Sequence, residues 1–240
     1  MNIIGLIPAR GGSKGVLRKN IKLLQGKPLL CYTAEAALKA SGLARVVLST
    51  EDEEIAKVGR ECGLDVPFLR PDELALDSSP TLPVIQHAVR MLESNDEPIE
   101  AICLLQPTSP FRDTALIEQC IKLFIESGAD TLITLLPVPE KYNPYFMYLQ
   151  NGDGKLNYCM GEDTVAVRRQ DVQPAYLREG SVYIIKRSVM MDDNSLYGPN
   201  IVGCPVNAEQ SINIDTMDDW QLAEKYLEEQ GSGKEKNTGC

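Results

Sequence analysis

Residues 2–15 read Asn-Ile-Ile-Gly-Leu-Ile-Pro-Ala-Arg-Gly-Gly-Ser-Lys-Gly. An apolar run passes there straight into a basic, glycine-rich loop. Asn2–Pro8 has the near-continuous hydrophobicity of a parallel strand covered on both faces. In an open α/β sheet the ligand lies beyond the carboxyl ends of the strands. The loop after this strand is therefore the first place to look for chemistry.

Outward from it, apolar periods of two kinds alternate. Leu29–Ser41 has helical spacing with Gly42 as a stop, and Arg45–Ser49 is a short β-branched strand. Asp52–Cys62 is helical, Val66–Leu69 a third strand, Thr81–Glu93 helical and Ile99–Leu105 a strong strand. Ala115–Ser127 is a helix with Gly128 behind it, and Thr131–Leu136 another strand. This order predicts an α/β fold with a doubly wound, mostly parallel sheet. Pro137 to about Gln173 breaks the pattern. Tyr145–Leu149 and Lys155–Cys159, around Asn-Gly-Asp-Gly at 151–154, predict a hairpin. Four of the nine Tyr fall in this window, which suits either core or an oligomer contact. Ser181–Lys186 and Ile201–Pro205 predict strands, Ile212–Ile214 a short strand before Asp215, and Met217–Glu229 a helix. Residues 1–230 are expected to form one unit, with 139–175 as an insertion and 231–240 as a disordered tail.

The 240 residues carry a net charge of −10. Residues 1–34 hold Arg10, Lys14, Arg18, Lys19, Lys22 and Lys27 and no acid, a block of +6; the remainder is −16. A basic patch on an acidic chain suits a small anion, and the overall charge argues against nucleic acid as a partner. The loop spacing is neither the G-x-x-x-x-G-K-[ST] phosphate loop nor the G-x-G-x-x-G dinucleotide loop. A solvated basic loop is the bland alternative. No apolar run nears the roughly 20 residues of a membrane span, and no secretory signal is visible. The seven Cys form no C-x-x-C and read as reduced thiols of a cytoplasmic protein. The single His87 makes a serine triad or a His-rich metal site a poor expectation.

Several strings together carry a specific resemblance. They are Ile-Pro-Ala-Arg-Gly-Gly-Ser-Lys-Gly (7–15), Lys19-Asn20-Ile21, Gly26-Lys27-Pro28-Leu29 and Ser49-Thr50-Glu51-Asp52. Phe68-Leu69-Arg70-Pro71, Glu73-Leu74-Ala75 with Asp77, and Leu104-Leu105-Gln106-Pro107-Thr108-Ser109-Pro110 follow. Arg169-Gln170, Gly180-Ser181-Val182-Tyr183 and Ile214-Asp215-Thr216 complete the set. In this order, over about residues 2–230, the chain resembles the acylneuraminate cytidylyltransferases. The related octulosonate enzymes share the opening fold, and the match is nearer the acylneuraminate branch.

The resemblance implies a nucleotide-diphospho-sugar transferase-like sheet and transfer of CMP from CTP to a nine-carbon 2-keto sugar acid, with Mg²⁺. It implies Arg10, Lys14 and Lys19 on the phosphates, beside the loop residues Ala9, Gly11 and Gly12. Asn20, Arg70 and Thr81 would meet the ribose and base. Gln106 and Tyr183 would meet the sugar acid, whose carboxylate needs a donor for which Arg168, Arg169 and Arg178, in the segment after the hairpin, are candidates. Asp215, with Asn213, would hold the metal. A homodimer closed by residues 139–175 is expected. Cations and carboxylates suit this chemistry, since nucleotidyl transfer moves negative charge onto pyrophosphate.

Two positions depart from the family pattern. Asn213 stands where the family commonly has a second Asp, and Glu179 where it often has Asn. Two other readings follow: a nucleotide-sugar binding protein of weakened turnover, or a transferase using another nucleotide or sugar. Asp218 and Asp219 read as first-turn helix acids, Trp220 as packing and Asp77 as a turn near the nucleotide.

Overall fold

A computed structural model describes residues 1–94, 98–161, 168, 172–208 and 211–235, with side chains to residue 230. Its strands are β1 (Ile3–Pro8), β2 (Leu23–Leu24), β3 (Lys27–Pro28), β4 (Arg45–Ser49) and β5 (Ala101–Leu104). Then come β6 (Thr131–Pro137), β7 (Tyr148–Gln150), β8 (Leu156–Tyr158), β9 (Tyr176–Lys186) and β10 (Ile201–Pro205). The helices are α1 (Leu29–Leu38), α2 (Glu53–Glu61), α3 (Thr81–Glu93), α4 (Thr114–Ser127), α5 (Arg187–Met191) and α6 (Met217–Glu235).

Six strands form the main sheet in the order β10-β6-β9-β5-β1-β4. β1 runs parallel to β4 and β5, and β10 parallel to β6; β9 is antiparallel to both its neighbours. Successive residues of β1 point to opposite faces. Ile3 and Ile7 pack with Leu30, Ala34, Ile117 and Phe124 from α1 and α4, whereas Ile4 and Leu6 pack with Ile85, Val89 and Leu92 of α3. Helices on both faces explain why β1 is apolar at nearly every position.

Side chains of the chain itself start and stop the helices. Asp52 caps α2 by accepting the Glu54 and Ile55 N–H groups, and Asp113 caps α4 by accepting that of Leu116. Gly128 closes α4 at φ 64°, a left-handed conformation that favours glycine.

Several expectations change. Val66–Leu69 is not a strand. Only Asp65 bridges to Val47, because Pro67 has no N–H to extend a ladder. Ile212–Ile214 does not join a sheet either; the Ile214 N–H goes to the Thr108 carbonyl at 2.7 Å. The β5 strand ends one residue earlier than expected, while β9 begins at Tyr176 and α5 was not foreseen. The expected tail begins too soon, since α6 continues to Glu235. Among the thiols, Cys31 and Cys62 are joined as a disulfide with Cα atoms 5.6 Å apart, which corrects the reading of all seven as free. They lie on α1 and just after α2, brought together by helix packing that their separation of 31 residues conceals.

The hairpin is present as β7–β8, with Tyr148 opposite Tyr158 and the rings 5.1 Å apart. All six of its strand residues are exposed, so it is not part of the core. Among the described residues, no helix is long and apolar enough to cross a membrane.

Candidate active site

A cavity of about 320 Å³ opens beyond the carboxyl ends of β1 and β5. Arg10, Gly12, Lys19, Asn20, Arg70, Thr81, Gln106 and Asp215 all line it. These eight expected site residues come from five separate stretches of chain. Thr81 is the first residue of α3, and Gln106 follows β5.

The basic loop is held by packing as well as by charge. Val16, from the loop, is buried with Leu24, Leu29, Ile214 and Trp220. This small core draws the loop against the segment before α6. A Cβ on Gly15 would lie 1.9 Å from the Asp215 carbonyl oxygen, so only glycine permits the approach. Asn20 is buried and donates from Nδ2 to the Arg10 carbonyl at 2.9 Å, bracing the loop from inside. Ala9 is buried, with its N–H on the Ser49 carbonyl at 3.0 Å.

Each cation at the mouth has a carboxylate opposite it. Asp77 receives Arg10 Nη2 on one oxygen and Lys14 Nζ on the other, each at 2.7 Å. Lys14 and then Arg10 hold the Asp77 carboxyl below its usual range. Lys19 Nζ meets the Ile214 carbonyl at 2.7 Å and Asp215 Oδ1 at 3.0 Å. Glu51 Oε2 accepts from Arg70 Nη2 at 2.8 Å, while its Oε1 accepts the Gly11 N–H at 2.6 Å. Arg18, at φ 54°, pairs with Asp52 and Glu54 outside the cavity. Lys22 and Lys27 turn away; their ammonium groups lie 4.6 Å and 4.2 Å from the Trp220 and Tyr32 ring centroids.

The remaining expected residues lie elsewhere. Lys14 is not in the cavity lining; its side chain is 82% exposed and reaches it only through Asp77. Tyr183 is on β9, opposite Leu104, and burial pushes its hydroxyl pKa up. It too is absent from the lining. Arg169 lies outside the described residues. Arg168 is exposed, and the Arg178 guanidinium lies over the Tyr197 ring at 5.7 Å.

Asn213 donates from Nδ2 to Asp215 Oδ2 at 2.5 Å. A divalent cation fits this pair in part. The Asp215 carboxylate is 62% exposed beside the cavity, and the Asn213 side-chain oxygen is a hard neutral donor. Among the described residues no three His, Cys, Asp or Glu side chains cluster as a metal cage. Such an ion would take its other ligands from phosphate and water. Asp219 accepts from the Thr216 N–H at 2.8 Å, and Thr216 Oγ1 accepts from the Asp219 N–H at 3.2 Å, a reciprocal cap on α6. That bonding accounts for Asp219 without a ligand. His87 packs edge-on against Phe68 at 5.3 Å, and burial followed by Arg70 lowers its pKa. It is a half-buried imidazole outside the cavity lining.

A family profile described as cytidylyltransferase matches residues 4–225. The chain belongs to the cytidylyltransferase family. It is 32% identical over 235 residues to the CMP-N,N'-diacetyllegionaminic acid synthase of Legionella pneumophila, covering 95% of this chain and 97% of that protein. The Campylobacter jejuni pseudaminic acid cytidylyltransferase is 30% identical over 93% of this chain and 95% of its own. The N-acylneuraminate cytidylyltransferase of Escherichia coli is 31% identical over 92% of this chain and 51% of its own length. Among solved structures, a CMP:2-keto-3-deoxy-manno-octonic acid synthetase complexed with CTP superposes with a TM-score of 0.72 at 16% identity. That match covers 96% of this chain and 100% of the other, and it concerns the fold. The family thus agrees with the resemblance drawn from the loop and strand-end motifs.

Glu51 was quoted among those motifs without a role. Its link from the glycine loop to Arg70 crosses 19 residues in one direction and 40 in the other. An acid following an apolar strand end was the available signal.

Proposed function

We propose that the chain transfers CMP from CTP to the anomeric hydroxyl of a nonulosonic acid, releasing pyrophosphate. One observation carries the reading: in a chain of this family, the cations Arg10, Lys19 and Arg70 converge with Asp215 on a single cavity at the strand ends. The sugar hydroxyl oxygen forms a bond to the α-phosphorus, the bond from that phosphorus to the pyrophosphate oxygen breaks, and the hydroxyl proton passes to solvent water. Negative charge accumulates on the leaving pyrophosphate, where Arg10, Lys14 and Lys19 supply charge-assisted donors. Asn20, Arg70 and Thr81 frame the ribose and base. Gln106 and Tyr183 are assigned to the sugar by family resemblance, and Arg169 as a donor for its carboxylate.

Asp215, helped by the Asn213 amide oxygen, would hold Mg²⁺ together with the nucleotide. When bound, the ion supplies neutralisation of phosphate charge. The exposed hairpin supports a homodimer in which residues 139–175 of each subunit close the sugar end of the other. Tyr148, Leu156 and Tyr158, which the register sets on one face, are 55%, 61% and 37% exposed. Such an apolar cluster suits an interface better than water.

The deciding experiment is pyrophosphate release from CTP and Mg²⁺ with N,N'-diacetyllegionaminic, pseudaminic and N-acetylneuraminic acids. Release that requires one of these acids is expected. No release with any of them, or faster release from GTP or UTP, would overturn the reading.

A further inference from the structure

Arg112 is a buried cation that, among the described residues, forms no ion pair with a carboxylate. It lies between β5 and α4 and is 4% exposed. Its Nη1 donates to the Ser181 carbonyl at 2.6 Å. Its Nη2 donates to the Gln106 carbonyl and to Thr33 Oγ1, each at 2.6 Å. Nε is buried with no hydrogen-bond partner. The guanidinium thus ties together the cavity wall at Gln106, the strand β9 and the helix α1.

Glu179 acts on Arg112 through its charge, but its hydrogen bonds go elsewhere. Glu179 accepts from the Ser181 N–H at 2.8 Å and from Ser211 Oγ at 2.9 Å, and also bonds the Ser181 hydroxyl. Among the described residues, no carboxylate forms an ion pair with Arg112, whereas Arg10, Lys14, Lys19 and Arg70 are all paired. Burial pushes the guanidinium pKa down to about 10, which still leaves it charged at neutral pH. A buried charge is weakly screened, so an unpaired one carries further than a surface one. Leaving a guanidinium buried and unpaired is costly. An anionic ligand beside it offsets that cost.

We propose that Arg112 is a positioning residue for the sugar acid. It clamps the Gln106 turn to β9, and its unpaired charge favours a carboxylate at that end of the cavity. The inference rests on the proposed function and extends it to the substrate's acid group. Every direct bond of Arg112 goes to protein, so it acts through Gln106 and through its field.

The test uses the full chain with Arg112→Lys and Arg112→Gln, each checked for a cooperative melt. Three quantities are read: CTP affinity without sugar by calorimetry, KM and kcat for the sugar acid, and inhibition by its C1 amide. For Arg112→Gln, KM for the acid should rise about tenfold or more, while CTP affinity stays within about twofold. Acid and amide should then be held more nearly alike. Arg112→Lys should lose part of the KM effect but keep the preference for the acid. If the Gln variant does not fold, the Lys variant decides, with a raised sugar KM and unchanged CTP affinity expected. An unchanged KM, an unchanged acid-to-amide preference in the Gln variant, or CTP affinity falling in step with the sugar effect would overturn the inference. Wild-type protein that turns over no sugar acid would instead sink the proposed function.

Discussion

Glu51 and Arg70 face each other at 2.8 Å with 14% and 3% of their side chains exposed, at the inner edge of the cavity. The second Glu51 oxygen holds the Gly11 amide, so one carboxylate sets both a loop and a cation. Removing it leaves Arg70 buried and uncompensated. Glu51→Ala is expected to cost about 3 kcal/mol of stability, in the range for breaking a buried pair. Glu51→Gln should recover part of this through its remaining acceptor. Urea unfolding measures both, and an Ala variant within about 0.5 kcal/mol of wild type would count against the coupling.

Asp77 occupies two of the three cations that the triphosphate is proposed to use. It is therefore a competitor for them. Asp77→Asn should tighten CTP binding about two- to fivefold, as expected for an exposed ion pair. Calorimetry without sugar or Mg²⁺ gives the answer, and weaker binding would show that Asp77 helps the nucleotide.

Lys19 and Asp215 form a third pair, at 3.0 Å. Lys19→Ala should lower kcat by about 10²–10³, the loss seen when one preorganised donor is removed. Asp215→Ala should abolish most turnover, and Asn213→Asp should lower the Mg²⁺ concentration needed for half-maximal rate. These are read from single-turnover rates across a Mg²⁺ series. A rate that ignores Mg²⁺ would remove the metal role from both residues.

Asp52 caps α2 and pairs with Arg18. Arg18, then the Ile55 and Glu54 amides, depress its pKa, against the opposing effect of burial. A group depressed in the folded state binds fewer protons than in the unfolded chain. Its contribution is therefore present above the unfolded value, about 3.9, and lost as pH falls through the folded value. Asp52→Ala should cost about 1 kcal/mol at neutral pH through the cap alone, and the gap to wild type should shrink in acid. Melts from neutral to strongly acidic pH check the sign; a gap that widened in acid would refute it.

The hairpin gives the fifth expectation. With Tyr148, Leu156 and Tyr158 exposed on one face, the chain should run as a dimer at micromolar concentration by light scattering. Tyr148→Lys with Leu156→Lys should yield monomer with a raised sugar KM. A fully active monomer would separate the hairpin from the site.

Much of the fold was legible because period and punctuation agree. The apolar run of β1, the helix Thr81–Glu93 and the stop at Gly128 stand where pattern and glycine placed them. Val66–Leu69 and Ile212–Ile214 misled, since β-branched composition reports a covered chain and not a ladder partner. The extra length of β9 was missed because its outer half, from Tyr176, is exposed and lacks a hydrophobic run.

The chain alone revealed a +6 segment after a buried strand, and a set of strand-end motifs sufficient to name the family. Local sequence carries that information because glycine, charge and apolar period act over a few residues. It could not reveal that four cations of the basic segment are paired. Asp52, Asp77 and Asp215 reach Arg18, Arg10, Lys14 and Lys19, and Glu51 reaches Arg70, only when the strand ends and α2 are assembled. Nor could it single out Arg112, one arginine among many until folding buries it on the Ser181, Gln106 and Thr33 oxygens with, among the described residues, no ion pair. Charge pairing depends on distance through space, and tertiary packing sets those distances.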